Sequence, residues 1–332
     1  MKFPNEHEKQ VLKSFIPNKF TLMRVSHEKI NRFYTDLWFL KSKYGVRYLI
    51  PPKTVAPSFF LCGFPRSGTT SMYNYLNSHP NIQGSQEKEP KFFSHEYARG
   101  MKYYSLQFPK VKQNLTTFDA SQSYLYNPFA MNRIKKEFPN SKFIVCMRKP
   151  VEQVISMYSL QKKNGREICS FEECIDQEID RVKLFVKRHK SDYVNPWASG
   201  ISIPYLYVAT YINHIKHALT LFKQKQFLFI SSEELFNNTQ NVVSKCFQFL
   251  NLPDYKINPL VYRSVKHENM DDELIKDLQS YFSPYNSELQ NLSFEDKKKK
   301  YANETLDITK ELSDTEFLNA KKILERCETI SN

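Results

Sequence analysis

The sequence lacks several features that define large classes of protein. It has no run of 18 apolar residues, only 7 glycines and 17 prolines in 332 residues, and no C-x-x-C pair among its six cysteines. These absences exclude collagen-like, low-complexity and membrane-spanning chains, and they give no sign of a zinc or redox motif. Because 41% of the residues are hydrophobic and 14% are aromatic, the chain can fill a sizeable core and we expect a globular protein.

The N-terminus lacks the apolar region and the small-residue cleavage site of a secretory signal. Cys62 and Cys146 lie in apolar runs, where we expect buried free thiols, and both observations favour a cytoplasmic protein. The net charge of +13 predicts an anionic partner: a nucleic acid, a polyanionic sugar or an anionic cofactor. Since no recognition helix, zinc-finger spacing or RNP-type aromatic pattern accompanies the charge, we expect no nucleic-acid partner. The oligomeric state is left open.

Apolar runs and helical patterns alternate along the chain. Strand patterns lie at 58–62, 116–121, 142–147 and 226–231, and helical spacing at 69–79, 127–138, 150–160, 205–223 and 239–250. This alternation predicts an α/β fold with a central, mainly parallel sheet covered by helices on both faces. We predict a helical extension at 1–55, one α/β domain at 56–292, and a C-terminal linker and helix at 293–332 that pack on the same domain.

A phosphate-binding loop without its lysine follows the first predicted strand. The segment GFPRSGTT at 63–70 has the glycine spacing of G-x-x-x-x-G-K-[ST], but Thr69 occupies the lysine position. Backbone N–H groups at the start of the following helix can bind an anion, and the guanidinium of Arg66 can clamp phosphate or sulfate oxygens. The residues predicted to bind this anion are Pro65, Arg66, Ser67, Gly68, Thr69 and Thr70.

A second anion site is predicted after the strand at 142–147. Arg148 stands at the carboxyl end of that strand, Pro150 suits the first position of a helix, and Ser156 lies within that helix. Ligands of open α/β sheets bind at the carboxyl ends of the strands. Arg148 and Ser156 could therefore hold a second phosphate.

These segments together resemble the sulfotransferase family, whose members take a sulfuryl group from 3′-phosphoadenosine 5′-phosphosulfate (PAPS). FPRSGTT at 64–70 is similar to the loop for the 5′-phosphosulfate, and MRKPVEQVISMY at 147–158 to the segment for the 3′-phosphate. SHPNIQGSQEKEPKFF at 78–93 resembles a stretch of the carbohydrate and heparan-type sulfotransferases and their bacterial relatives. The resemblance implies a P-loop-like sulfotransferase fold over 56–292, PAPS as donor, PAP as product and no metal.

The resemblance also implies roles for individual residues. Arg66 would stabilise the charge that develops on the bridging oxygen, and Glu89 would be the general base that takes a proton from the acceptor. Judged by its surroundings alone, Glu89 would be a surface glutamate in a charged loop. Glu87 is the alternative base, and Glu87, Lys91 and Asp119 are expected to contact or orient the acceptor.

The chain departs from the family pattern at three places. Lys149 stands where the family has aspartate, and Ala120 lies near the position at which heparan-type members carry a lysine. The segment around 261–273 has neither a disulfide loop nor the glycine-containing signature of the family, so Arg263 and Lys266 are the cations left there to bind the 3′-phosphate.

The expected reaction is an in-line transfer of the sulfuryl group from PAPS to a hydroxyl or an amine of a carbohydrate or a small molecule. Two alternatives stay open. A P-loop nucleotide-dependent small-molecule kinase would need the loop lysine and a carboxylate for Mg²⁺. A non-catalytic protein that binds polyanions would use the charge of +13 without turnover. The presence of both Arg66 and Glu89 favours the enzyme.

Overall fold

The computed structural model describes residues 54–110, 114–190, 203–258 and 270–292. The predicted N-terminal extension and C-terminal helix lie almost wholly outside these ranges. Arg263 and Lys266 also lie outside the described residues, so their predicted contact with the 3′-phosphate stays a prediction.

Five strands form the sheet of the described residues. They are β1 Phe59–Gly63, β2 Ile82–Gly84, β3 Thr116–Asp119, β4 Lys142–Met147 and β5 Phe227–Ser231. Their order across the sheet is β2, β3, β1, β4, β5, and every neighbouring pair is parallel. All residues of β1 are buried, which explains its continuous apolar run. The predicted α/β fold with a parallel sheet is confirmed.

Helices connect the strands and cover the sheet. In the described residues they are α1 Thr69–Asn77, α2 Gly100–Ser105, α3 Ser123–Tyr126, α4 Ala130–Glu137, α5 Pro150–Lys163, α6 Phe171–Asp176, α7 Glu178–His189, α8 Tyr205–Ala209, α9 Tyr211–Leu221, α10 Ser232–Asn237, α11 Thr239–Phe249 and α12 Asp272–Gln290. A π-helical turn spans Phe92–Glu96, and 3₁₀ turns span Tyr97–Arg99 and Gln224–Gln226. The sequence does not predict strand β2 or helices α2, α3, α6, α7, α10 and α12.

The prediction of one helix at 205–223 is wrong, because α8 and α9 are separated at Thr210. The backbone of Thr210 leaves the helical region at φ −80° and ψ 71°. Its hydroxyl donates to the carbonyl oxygen of Leu206 at 2.9 Å. Such a bond from a side chain to the backbone competes with regular helix, so the chain bends here.

Alternate residues of β1 face two separate layers of the core. Phe59 stacks on Phe118 with ring centroids 4.9 Å apart, on the face that α1 and α11 cover. Phe60 stacks on Phe143 at 5.6 Å, on the opposite face. Cys62 and Cys146 are buried free thiols, as the sequence predicts.

Strand β1 marks the place where ligands bind in folds of this kind. The chain runs from β1 to β2 and β3 on one side of the sheet, and then crosses to β4 and β5 on the other side. The strand order therefore reverses beside β1. In open α/β sheets the crevice at the carboxyl ends of the strands, next to such a reversal, is the usual binding site.

Candidate active site

Two glycines shape the loop between β1 and α1. Gly63 has φ 139°, and a Cβ atom there would collide with the carbonyl oxygen of Cys146. Gly68 has φ 81° and immediately precedes α1, where no side chain caps the helix. The first N–H groups of α1 have no acceptor within the helix. The loop therefore directs free N–H groups and the positive end of the helix dipole toward one point, as an anion site requires.

The hydroxyls beside this loop are buried. Ser67 is 0% exposed, and neither its Oγ nor that of Ser232 has a hydrogen-bond partner among the described residues. Ser232, at the start of α10, has its Oγ 3.7 Å from the point where a Cβ of Gly68 would lie. Thr69 is buried and Thr70 is exposed. A buried hydroxyl without a partner costs free energy, and a bound oxyanion is a group that could satisfy it.

Arg66 joins the loop to α5. Its Nε donates to Ser156 Oγ at 2.9 Å, and Gln153 Nε2 donates to the carbonyl oxygen of the buried Pro65 at 3.1 Å. These contacts hold Arg66 at φ 65°, a conformation that few residues other than glycine adopt. Burial lowers the pKa of the Arg66 guanidinium, and the neighbouring charge of Arg148 lowers it further. Two cations are thus held together, an arrangement that a bound anion would stabilise.

Arg148 lies just beyond the end of β4, as predicted, but its partner is Glu152. Its Nε and Nη2 lie 3.1 Å and 3.0 Å from Glu152 Oε2. Glu152 and Ser156 are four residues apart and share one face of α5. The sequence predicts that Arg148 and Ser156 bind one phosphate together, whereas in the structure Ser156 contacts Arg66. Glu152 contacts only Nε and Nη2 of the guanidinium, so Nη1 of Arg148 is left to bind a phosphate.

Tyr211, at the start of α9, is a residue of this site that the sequence reasoning missed. Its ring stacks on Phe64 with centroids 3.9 Å apart. Its hydroxyl lies near Ser67 and the backbone of Arg148 but makes no hydrogen bond among the described residues. Burial raises the pKa of this hydroxyl. The signal in the sequence is one aromatic residue in a helical pattern, which is ordinary for a core position.

Glu89 lies between two lysines. Its Oε1 is 2.9 Å from Lys88 Nζ, and its Oε2 is 3.3 Å from Lys91 Nζ. The side chain is 19% exposed. Burial would raise the pKa of Glu89, but the two lysines outweigh burial and the pKa lies below its usual value. Glu89 is therefore ionised at neutral pH and can accept a proton. Glu87, the alternative base, is exposed.

Asp119 ends β3 and is 0% exposed. It accepts hydrogen bonds from Tyr104 at 2.9 Å, Tyr124 at 2.7 Å and Ser121 at 2.7 Å. Ser121 Oγ in turn accepts from the backbone N–H of Lys91 at 3.0 Å. The sequence predicts that Asp119 contacts or orients the acceptor, and in the structure its buried carboxylate accepts from hydroxyl groups that lie next to the Glu89 loop.

The groups of the candidate site lie at one edge of the sheet: the phosphate-binding loop with Arg66, then Arg148, and the loop that carries Glu89. Arg66 follows β1, Arg148 follows β4, and the Glu89 loop is hydrogen-bonded to Ser121 just beyond β3. These strands are parallel, so their carboxyl ends lie at the same edge. In the part of the chain that the structure describes, no group of three or more His, Cys, Asp or Glu side chains is placed to hold a metal ion.

Comparison with known proteins decides the family. Residues 56–323 match the sulfotransferase domain. The chain belongs to the sulfotransferase family. The family expected from the sequence is thus confirmed. A sulfotransferase domain implies a PAPS-dependent transferase, so the predicted class of enzyme agrees with the match.

Several named sulfotransferases are similar to this one. Human heparan sulfate glucosamine 3-O-sulfotransferase 6 is 27% identical over 202 residues, which cover 61% of this chain and 54% of that protein. The membrane-associated sulfotransferase kil1 of Dictyostelium discoideum is 32% identical over 143 residues, which cover 40% of this chain and 30% of that protein. The crystal structure of a sulfotransferase from Alicyclobacillus acidocaldarius superposes with a TM-score of 0.61 at 26% identity, covering 72% of this chain and 96% of that one.

The match to the heparan sulfate 3-O-sulfotransferases is partial. This sulfotransferase spans about half the length of those relatives. Within the described ranges, none of its helices is long and apolar enough to cross a membrane.

Proposed function

We propose that this sulfotransferase transfers a sulfuryl group from PAPS to a hydroxyl group of a carbohydrate and releases PAP. The domain match supports the donor and the type of reaction. The names of the similar human enzymes, which specify glucosamine in heparan sulfate, favour a sugar as acceptor. An amine or the hydroxyl of a small molecule would serve the same chemistry, and these are the alternative acceptors.

The observation that carries the proposal is the closeness of Arg148 to Arg66, which lies in the loop before the uncapped start of α1. Arg66 reaches Ser156 at 2.9 Å, and the charge of Arg148 is near enough to lower the pKa of Arg66. No side chain caps α1, and Ser232 Oγ beside the loop has no partner among the described residues. Free N–H groups, two guanidinium groups and an unsatisfied hydroxyl fit a ligand with two separate anionic groups.

We infer how these residues would hold the donor. The loop N–H groups and Arg66 would bind the 5′-phosphosulfate, and Arg148 with Ser156 would bind the 3′-phosphate. When bound, PAPS supplies the sulfuryl group: a bond forms from the acceptor oxygen to sulfur as the bond from sulfur to the bridging oxygen breaks. Arg66 would stabilise the negative charge that the bridging oxygen gains, because its cation is already held in place by α5.

Glu89 would take the proton of the acceptor hydroxyl. Lys88 and Lys91 offset the effect of burial and keep its pKa below the usual value, so the carboxylate stays ionised at neutral pH. The ionised carboxylate can accept a proton at neutral pH, and its partly exposed position keeps it within reach of an acceptor from solvent. After transfer, the proton on Glu89 can return to water, since the side chain is partly exposed.

An assay with ³⁵S-labelled PAPS tests this function. The acceptor panel would contain heparan sulfate, desulfated heparan sulfate, chondroitin, 4-nitrophenol and octylamine, with EDTA in the reactions with PAPS and Mg²⁺ in parallel reactions with γ-labelled ATP. We expect label on one of the glycans. Phosphate transfer from γ-labelled ATP would instead support the kinase, and PAP binding without transfer to any acceptor would support the non-catalytic polyanion-binding protein.

A further inference from the structure

The buried carboxylate of Asp119 is surrounded by hydroxyl groups that lie between it and the Glu89 loop. Ser121 donates to Asp119 Oδ1 at 2.7 Å, and Tyr124 donates to Oδ2 at 2.7 Å. The same two hydroxyl oxygens accept from the loop: Lys91 N–H donates to Ser121 at 3.0 Å and Phe93 N–H to Tyr124 at 3.4 Å. Each hydroxyl therefore bridges the carboxylate and one backbone N–H.

The direction of these hydrogen bonds depends on a carboxylate at position 119. An ionised carboxylate only accepts, so both hydroxyls must give their single proton to it. Their oxygen lone pairs are then left to accept from the N–H groups of Lys91 and Phe93. A neutral amide at position 119 would donate to one of the hydroxyls, which would turn its own proton toward the loop N–H and break that contact.

The loop needs such support because its backbone is strained. Glu89 has φ 62° and Lys91 has φ 52°, in the region that residues with a side chain rarely adopt. Lys91 also begins the π-helical turn, where its carbonyl oxygen accepts from the N–H of His95 at 2.8 Å. Strained conformations persist only where surrounding contacts hold them. Ser121 and Tyr124 supply these contacts, because they accept from the N–H groups of Lys91 and Phe93, which follow Glu89 by two and four residues.

We propose that Asp119 is a positioning residue for Glu89: it orients the hydroxyls of Ser121 and Tyr124, and these hold the loop that carries the base. This inference rests on the proposed role of Glu89. It assigns Asp119 a role in the rate of transfer although the carboxylate is fully buried and touches no substrate. Burial raises the pKa of Asp119 to about 6, and the nearby Glu89 contributes to the same shift, in agreement with their closeness.

Tyr104 offers a matched control. Its hydroxyl donates to the same Asp119 oxygen at 2.9 Å. In contrast to Tyr124, no hydrogen bond of the described structure joins this hydroxyl to a backbone N–H of the loop. Its ring stacks on Phe92 at 4.5 Å, and Tyr104→Phe keeps that ring. Tyr104→Phe thus removes one hydrogen bond from Asp119 and leaves the bridges to the loop intact.

The test compares Asp119→Asn, Ser121→Ala and Tyr104→Phe, each as a single variant and as a double variant with Glu89→Gln. Transfer of ³⁵S from PAPS to the best glycan gives kcat, calorimetry with PAP gives donor affinity, and hydrogen exchange gives the protection of the Lys91 amide. We expect Asp119→Asn and Ser121→Ala to lower kcat by about tenfold to a hundredfold, the scale for a misplaced catalytic group. PAP affinity should stay within about twofold, and Tyr104→Phe should match wild type in kcat.

The double variants separate positioning from general damage. If Asp119 acts through Glu89, Asp119→Asn costs little further activity once Glu89 is glutamine, because coupled effects are not additive. Equal losses in both backgrounds, or an equal loss from Tyr104→Phe, would overturn the proposal. Faster exchange of the Lys91 amide in Asp119→Asn and Ser121→Ala, but not in Tyr104→Phe, supports it even if no acceptor in the panel is sulfated, whereas unchanged exchange contradicts it.

Discussion

Arg66 and Ser156 are joined by a hydrogen bond of 2.9 Å across 90 residues of sequence. The bond connects the two segments that the sequence assigns to different phosphate groups, the loop after β1 and the helix after β4. It holds the guanidinium beside the loop, so binding of the donor need not cost the conformational entropy of ordering Arg66. The cation that would stabilise the leaving group is therefore positioned by the helix that carries the second anion site.

The first prediction concerns Arg66. Arg66→Ala should lower kcat by roughly 10²-fold or more, the scale for removing one preorganised donor to the transition state. Arg66→Lys keeps a charge but cannot make the same contact with Ser156, so it should restore part of the rate. Ser156→Ala keeps the guanidinium and should cost less than Arg66→Ala. Single-turnover transfer from labelled PAPS measures all three, and activity of Arg66→Ala near that of wild type would remove Arg66 from the mechanism.

The second prediction concerns Arg148 as the contact to the 3′-phosphate. Loss of a charge-assisted hydrogen bond costs about 1.5 to 3 kcal/mol, so Arg148→Ala should weaken PAPS binding by about tenfold or more. Adenosine 5′-phosphosulfate has no 3′-phosphate and should lose far less affinity. Glu152→Gln is the matched control: it removes the carboxylate 3.0 Å from Arg148 Nη2 and should leave PAPS binding equal or tighter. Equal losses for the two donors in Arg148→Ala would exclude the assignment.

The strands of the sheet were predictable where burial is complete. Every residue of β1 is buried, so its sequence is an unbroken apolar run. Strand β2 has only three residues, and the middle one, Gln83, is exposed, so no periodic signal marks it. The bend between α8 and α9 was also hidden, because it depends on the hydroxyl of one threonine rather than on a proline or a glycine.

The candidate site also contains some features that have a local sequence signal and others that have none. Glycine spacing encodes the loop conformation, and the sequence therefore indicates Arg66 and the helix start. The pair Arg148 and Glu152 is a local i, i+4 contact that the spacing alone could have suggested. The hydroxyls around Asp119 come from α2, α3 and the segment after β3, and their meeting depends on tertiary packing. No local pattern marks such a cluster, so the sequence alone predicts only that Asp119 contacts or orients the acceptor.

The third prediction concerns the buried pair Glu167 and Arg181, whose Oε2 and Nη1 atoms lie 2.6 Å apart. Burial raises the pKa of Glu167, but Arg181 outweighs burial and holds the pKa at about 2. A depressed pKa in the folded state stabilises the protein above the pKa of the unfolded chain, and this stability is lost as the pH falls from about 4.5 toward 2. Glu167→Gln should therefore lower the free energy of unfolding at pH 6 more than at pH 3.

Urea unfolding of wild type and Glu167→Gln at the two pH values measures this difference. Because both proteins share every other carboxylate, the difference between them isolates Glu167. A difference that stays constant between the two pH values would mean that Glu167 is not held ionised by Arg181.

The central claim is that Glu89 is the base of a PAPS-dependent sulfuryl transfer, and one variant tests it most directly. Glu89→Gln should leave the affinity for PAP unchanged in calorimetry, because Glu89 acts on the acceptor, and should lower transfer of ³⁵S to the acceptor by about 10²- to 10⁴-fold. Glu87→Gln, two residues upstream and exposed, should transfer at the wild-type rate. Normal transfer by Glu89→Gln, with or without a loss in Glu87→Gln, would contradict the account.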